Sequence, residues 1–475
     1  MSARSIAKRT KKEINMTEGP LFGKIVMFAL PLLLSGILQL LYNAADIVVV
    51  GRFAENGQTA LAAVGSTGAL TNLIVNLFIG LSVGTSVAVS HALGARNDDD
   101  VHKLVHTSIL TSIIGGVIVS FIGIALAKPL LALMDTPDTV LEHSSLYMRI
   151  IFCGMPAQML YNYGAAILRA KGDTKRPLLI LSLTGIVNVV LNLVLVIGFH
   201  MDVAGVAIAT ITSQYLSALM STYYLIRDEG VCHLDLKKLH IDRRSFLRIL
   251  RIGLPAGVQG MAFSISNVLI QSSVNSFGET AMAGNTAGGN LDSFIYIALN
   301  SLYHAALTFA GQNVGAKKWS RLNRVLLCCV AIVLTVGLTM GFAVFFFGEP
   351  LLSIYAPDEP EVIEWGMIRL TYLATTYFLC GIMEVGCGML RSIGQSFTSM
   401  VISLTGTCAL RVLWIYTVFA LNPTMETLYL SYPVSWTITL LVEFICYIIF
   451  KKKLIRHVNA RDAAALAQSE QAVEV

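Results

Sequence analysis

The sequence predicts an all-α membrane protein: twelve transmembrane helices in two six-helix bundles related by pseudo-two-fold symmetry about the membrane normal. Hydrophobic residues make up 55% of the 475 and charged residues only 13%, about half the charged share usual in soluble domains. Apolar stretches of about 20 residues recur along the chain, long enough for helices to cross hydrocarbon with their backbone hydrogen bonds closed. The second half also repeats the first at a near-constant offset.

Apolar runs bounded by Gly, Pro and charge place the first six spans near 22–50, 59–88, 104–128, 145–168, 177–199 and 204–226. Six more follow near 254–276, 281–310, 325–347, 366–390, 398–420 and 427–450. The expected organisation is a tail (1–20), an N-terminal bundle (21–226), a basic linker (227–251), a C-terminal bundle (252–450) and a second tail (451–475). No cleavable signal is apparent, since the basic start is followed by an apolar run too long for a signal h-region. Of the 34 Lys and Arg, 28 fall in the two tails and in the loops on one side of this layout. The other side has Arg52 and Lys128, with Arg149 and Arg369 near outer helix ends, and acidic loops such as FGEPLLSIYAPDEPEVIE. The positive-inside rule puts both termini in the cytoplasm of a cell-membrane protein. The net charge of +5 therefore reflects topology, and no nucleic acid is expected as a partner. All eight cysteines but Cys232 lie in apolar spans, without a CxxC pair or a His cluster, so neither a disulfide framework nor a zinc site is expected.

The repeat is specific in its polar signals. Leu30-Pro31 and Asn43 return as Leu254-Pro255 and Asn267, 224 residues on. TALAA from Thr59 returns as TAMAG from Thr280, and Gly94-Ala95 as Gly315-Ala316, 221 residues on. LRAKGD from Leu168 returns as LRSIGQ from Leu390 at 222, and Leu183-Thr184-Gly185 as Leu404-Thr405-Gly406 at 221. An even number of spans per half inserts both halves the same way up, a layout suited to alternating access around a central site.

Asp46, inside the first span, is the residue that most needs explaining, because a carboxylate deep in a bilayer costs roughly 3 kcal/mol or more. Acids kept there usually face a polar cavity and bind a proton or cation; snorkelling to the interface near Arg52 is the alternative. Asn188 and Asn192, four apart, share one helical face, and Thr210 adds a hydroxyl in the next span. These oxygens suit either a small cation or a shell around a carboxylate that protonates, and they equally suit simple helix–helix hydrogen bonding. In the second half Asn267, Gln271, Asn275, Asn290, Asp292, Asn300 and Glu384 fall within spans. Asp292 and Glu384 are candidates for a substrate cavity or second coupling site together with Asn267, or for structural pairing with Arg411. Glu443, nearer the cytoplasmic end of its span, reads as a snorkelling acid. Met159, Tyr161, Met261, Phe263, Met282, Phe294 and Tyr296 supply packing or, for a minority, cavity lining. Asp98 to Asp100 read as the cap at a helix start, where acids favour the dipole. Pro31 and Pro255 either bend the first helix of each half or begin it.

These segments resemble the multidrug and toxic compound extrusion transporters, within the larger flippase superfamily. The similarity runs from about Leu21 to Phe450 through ALPLLLSGILQLLYNAADIVVVGR, ALAAVG, GLSVGTSVAVSHALGARN and LRAKGDTKRP, with the echoes TFAGQNVGA and LRSIGQS. It implies two six-helix bundles exporting cationic or amphipathic organic compounds, such as drugs, in exchange for H⁺ or Na⁺, with no cofactor and as a monomer in the lipid bilayer. It implies that Asp46 is the ion-coupling acid, that Asn188 and Thr210 are its polar partners, that Na⁺ would sit at Asp46, Asn188 and Thr210, and that Pro31 marks a helix bend; Asn192 joins this ion-coupling set by its spacing from Asn188. Asn192 stands where many members have a second Asp, which removes one negative charge and tilts the expectation toward H⁺. Phe263 stands near a position where one subgroup has Glu, which argues against a second-half cation site of that type unless Asp292 and Glu384 substitute.

Other classes fit less well. A flippase for an amphipathic or lipid-linked substrate is the related alternative. An intramembrane enzyme would need a GxSxG elbow at a strand-to-helix turn, an HExxH or a paired-Asp motif, and a primary pump a GxxxxGK[ST] loop; the single GxSxG match, GLSVG at 80–84, lies inside an apolar span, and the others are absent. A receptor would leave the duplication and the intramembrane acids unexplained.

Overall fold

The computed structural model describes residues 13–53, 57–134, 136–357 and 359–473; the basic residues of the N-terminal tail, between positions 4 and 12, lie outside the described residues. Those described form helices and no strand. The first half contains α1 (Phe22–Phe53), α2 (Gly57–Gly94), α3 (Asp98–Leu133), α4 (Asp138–Cys153), α5 (Met155–Lys171), α6 (Lys175–Leu193) and α7 (Asp202–Ile226). The second contains α8 (Arg243–Asn275), α9 (Glu279–Gly315), α10 (Trp319–Phe346), a short α11 (Gly348–Ser353), α12 (Pro360–Tyr372), α13 (Tyr377–Ser392), α14 (Ser396–Ser403), α15 (Leu410–Trp414) and the long α16 (Met425–Val473).

Eleven stretches of the described chain are long and apolar enough to cross a membrane as helices. The remaining crossing is the pair α4 and α5, broken at Gly154, where a Cβ would lie 2.5 Å from Gln214 Oε1 on α7. The protein is thus a twelve-helix membrane protein built as two bundles.

The duplication extends to backbone irregularities. LRAKGD and LRSIGQ both end a helix with a left-handed glycine, Gly172 at φ 98° and Gly394 at φ 84°. In each, the next N–H closes a six-residue loop, Asp173 to the Leu168 carbonyl and Gln395 to the Leu390 carbonyl. Arg96 and Lys317, each following a Gly-Ala pair, have positive φ of 55° and 54°. A π-helical turn at Val194–Gly198 has its counterpart at Ile415–Phe419. The interruption at Gly154 is matched by the 3-10 turn Ala374–Thr376 between α12 and α13. Such turns persist where surrounding packing fixes them.

The contacts divide the chain into units 1–269 and 270–475, a boundary inside α8. Close approach of backbones through glycine explains why the start of α8 belongs to the first unit. A Cβ on Gly80 of α2 would lie 2.2 Å from the Gly257 nitrogen, and one on Gly84 would lie 2.2 Å from the Ile249 carbonyl oxygen. At one end of this unit, Lys171 hydrogen-bonds Asp228 and pairs with Glu13 at 2.6 Å. The linker is ordered by caps and not left as a tether: Asp242 Oδ2 accepts from Ser245 N–H at 2.8 Å, which with other contacts holds that carboxyl below its usual range. Asn97, not one of the three aspartates, caps α3. Asp98, Asp99 and Asp100 fill its first turn, and Asp100 reaches Arg248 at 2.8 Å.

Gly80→Leu forces two backbones apart and should cost about 1 to 3 kcal/mol, seen as a lower melting temperature of the purified protein. Gly51→Ala, with nothing within 4 Å of the added carbon, should leave it unchanged.

Candidate functional site

Asp46 is positioned by the docking of α1 on α6. The Tyr42 ring fills the notch left by Gly185, where a Cβ would stand 1.7 Å from it, and Tyr42 Oη donates to the Ser182 carbonyl at 3.2 Å. One turn along α1 is Asp46, and two turns along α6 from Gly185 is Asn192. Asn192 Nδ2 donates to Asp46 Oδ1 and, at 3.4 Å, to Asn188 Oδ1. Asn192 and Asn188 are buried while Asp46 is half-buried. α7 is held to α6 by Ser217 Oγ, which donates to Thr184 Oγ1 at 2.9 Å. Thr210 on α7 makes no side-chain hydrogen bond to Asp46; its Oγ1 and the Oδ1 of Asn192 are both buried without a partner. Buried polar atoms are nearly always paired, so two orphan oxygens among four candidate residues need a reason. Beyond Asp46, Val49, Val50, Val196, Val203 and Val206 pack into an apolar cluster. Pro31 lies within α1, and Ser35 Oγ donates to its carbonyl at 2.8 Å.

In the first unit Asn267 lines an open cavity of about 460 Å³ together with Asn72, Asn76 and Ser264. Asn76 Nδ2 donates to Ser264 Oγ there at 3.0 Å. Met159, by contrast, is core: it is 2% exposed and packs with Phe78 and Tyr163.

In the second unit Asp292 does not pair with Arg411. Its partner is Arg369, whose Nε donates to Oδ2 at 2.8 Å. Arg369 also donates to Asn285 Oδ1 at 2.6 Å, and that oxygen accepts from Tyr429 Oη at 2.8 Å. Asn285 donates onward to Gln271 at 2.9 Å, and Gln271 to Asn275 at 2.9 Å. Gly288 and Gly289 leave room for the guanidinium stem, which a Cβ on Gly288 would meet at 3.0 Å. Sequence position assigned Arg369 to an outer helix end; the Gly-Gly pair opposite was the signal that an arginine crosses there. Arg411 is held by Ser435 Oγ at 2.9 Å and by the Tyr432 ring, 4.1 Å from its guanidinium carbon. Glu384 is buried without an ion pair among the described residues. Glu443 does not snorkel: it is 0% exposed and accepts from Ser403 Oγ at 3.3 Å. Met282, Thr286, Asn290, Tyr355 and Glu359 line a separate cavity of about 600 Å³.

Twelve crossings in a duplicated layout, with polar groups buried in both halves, define a polytopic membrane transport protein. The MatE family model matches residues 31–194 and 255–417, once in each half, and the chain belongs to that family, the multidrug and toxic compound extrusion transporters, which are not enzymes. It is 28% identical over 439 residues to the probable multidrug resistance protein YoeA of Bacillus subtilis, covering 90% of this chain and 94% of that one. It is 27% identical over 403 residues to a FAD transporter of Shewanella oneidensis, covering 83% and 87%. A solved transporter of the MOP superfamily from Pyrococcus furiosus shares the fold with a TM-score of 0.87 at 22% identity, covering 94% of this chain and 99% of that one.

Arg369→Met leaves Asp292 as a lone buried charge and should cost about 3 to 5 kcal/mol, read as a large fall in melting temperature. Adding Asp292→Asn to the same protein should restore most of that loss; equal losses in both variants would contradict the pairing.

Proposed function

We propose that the chain is a secondary active multidrug exporter, antiporting cationic or amphipathic organic compounds against H⁺ by alternating access, with Asp46 as the coupling acid. The observation that carries the proposal is the hydrogen bond from Asn192 to Asp46 across the α1–α6 contact. A lone carboxylate facing an amide N–H₂ suits proton exchange better than Na⁺, which requires several hard oxygens around it. Protonation removes the negative charge that draws the Asn192 donor, so the α1–α6 contact weakens when Asp46 takes a proton. Asn188 supports the amide of Asn192, and Thr210 supplies a further oxygen. Pro31, about four turns away on the same helix, lets α1 answer with a change of shape.

If proton and drug favour opposite-facing states, each drives release of the other. Export of drugs is supported by relatives named as multidrug resistance proteins. The polar cavity that includes Asn267 is a candidate substrate surface, with Asp292 held to its arginine and Glu384 available to a second coupling step. The protein works as a monomer in the cell membrane with both termini cytoplasmic, as the clustering of basic residues supports. Its functional halves are the bundles 21–226 and 252–450, joined by the linker 227–251.

Purified protein in liposomes, loaded with a fluorescent cationic dye, should move the dye under an imposed pH gradient and not under an imposed Na⁺ gradient. Asp46→Asn should abolish ΔpH-driven movement in well-folded protein; retained active efflux would contradict the role of Asp46. Transport by Na⁺ alone would assign Asp46, Asn188, Asn192 and Thr210 to that ion. No dye movement under either gradient would favour a lipid flippase.

A further inference from the structure

The coupling scheme leaves one buried acid of the second unit without a role. Glu443 on α16 has no exposed surface. Its Oε1 accepts a long hydrogen bond from Ser403 Oγ at 3.3 Å. Its Oε2 is buried and makes no hydrogen bond, and it lies against bare helix backbone, 2.8 Å from where a Cβ on Gly386 of α13 would be. No cation pairs with it among the described residues. The groups acting on it from α13 are Glu384, Arg391 and the Cys387 backbone, with Cys380 further along that helix. Arg391 turns its guanidinium to Tyr303 Oη. The short helix α14 offers only the neutral Ser403.

An ionised carboxylate in such a place pays a heavy desolvation penalty, with no paired cation among the described residues to offset it. Two remedies exist, a bound metal cation or a proton. Na⁺ or another hard cation needs about six oxygens, whereas here a carboxylate and one hydroxyl are the side-chain oxygens in contact, and Gly386 fills the remaining side with carbon. The carboxyl therefore carries a proton.

A line of polar side chains leads away from Glu443 on the same helix. Tyr447, one turn on, is 2% exposed with its Oη buried and unpartnered. Lys451, a turn further, has its Nζ 5.8 Å from the Tyr447 ring centre. Glu443, Tyr447 and Lys451 therefore form one stripe from the buried acid to the basic segment Lys451–Lys453 midway along α16.

We infer that Glu443 is a proton-binding site of the second unit, separate from Asp46, which exchanges its proton with solution past Tyr447. The step is proton transfer alone: when packing beside Tyr447 admits water, the carboxyl O–H breaks, a water held by the phenol takes the proton, and Glu443 is left as a carboxylate. Its contribution to coupling rests on the proton-antiport reading above; its protonation does not.

Infrared difference spectroscopy of the protein in lipid, titrated with pH, tests the site without any substrate. Wild-type protein should show a protonated-carboxyl C=O band at neutral pH that is lost reversibly as pH rises. The band should survive Asp46→Asn and Glu384→Gln and be absent in Glu443→Gln. Should Glu443→Gln fail to fold, Ser403→Ala provides the same assignment by moving the band to higher frequency, because the carbonyl loses its donor. Tyr447→Phe should slow the deuterium shift of the band at least severalfold in D₂O. A spectrum unchanged by both Glu443→Gln and Ser403→Ala overturns the site, and an unchanged exchange rate in Tyr447→Phe overturns the route. A titrating Glu443 band in protein that moves no dye would retain this site while rejecting the antiport function.

Discussion

A carboxylate in the hydrocarbon of a bilayer must find a cation, a proton or water, and the acids of this chain differ in which they find. Asp292 has a cation, Arg369, braced by Asn285 and Tyr429. Glu443 has no water-facing surface and, among the described residues, no paired cation. Asp46 is intermediate: half-buried, with an amide donor in place of a charge. A group in that intermediate condition alternates between states at the least cost, because a full ion pair holds its charge and a dry pocket gives up its proton only as pH rises. The other features of the first unit support Asp46 in this condition. Tyr42 in the Gly185 notch sets the register of α1 on α6, and the valine cluster closes the space beyond it.

The duplication is also a physical constraint. Each half ends the helix of its LRxxG segment with a left-handed glycine and relaxes the matching membrane helix into a π turn at the corresponding place. Irregular backbone is tolerated in a membrane protein only where neighbouring protein satisfies it. Its recurrence at equivalent positions shows that the two halves solve the same packing problem. Their polar contents diverge: the first unit offers one acid among amides, and the second an arginine-locked acid and two buried glutamates.

Much of this was legible in the residues. Apolar runs and loop charge yielded the twelve crossings, and the repeated Gly and Asn signals yielded the duplication, because both depend on local sequence. The meeting of Asp46 with Asn192 was foreshadowed by the i, i+4 spacing of Asn188 and Asn192. Hydropathy cannot say which way a charged side chain turns once its helix is in place. Arg369, close to a helix end in sequence, reaches back to Asp292 because Gly288 and Gly289 clear its path. Glu443, only eight residues before Lys451, remains inside because Gly386 admits it. Both outcomes depend on glycines more than 50 residues away in the chain, and no local pattern carries that information.

The central claim is that the charge on Asp46 is thermodynamically linked to drug binding, and the most direct measurement is drug affinity against pH on the purified protein. One proton released on binding changes Kd by about tenfold per pH unit where the site titrates. The account predicts that affinity for a cationic dye tightens as pH rises, and that Asp46→Asn lowers the slope of log Kd against pH by about one proton. An identical slope in both proteins would contradict it.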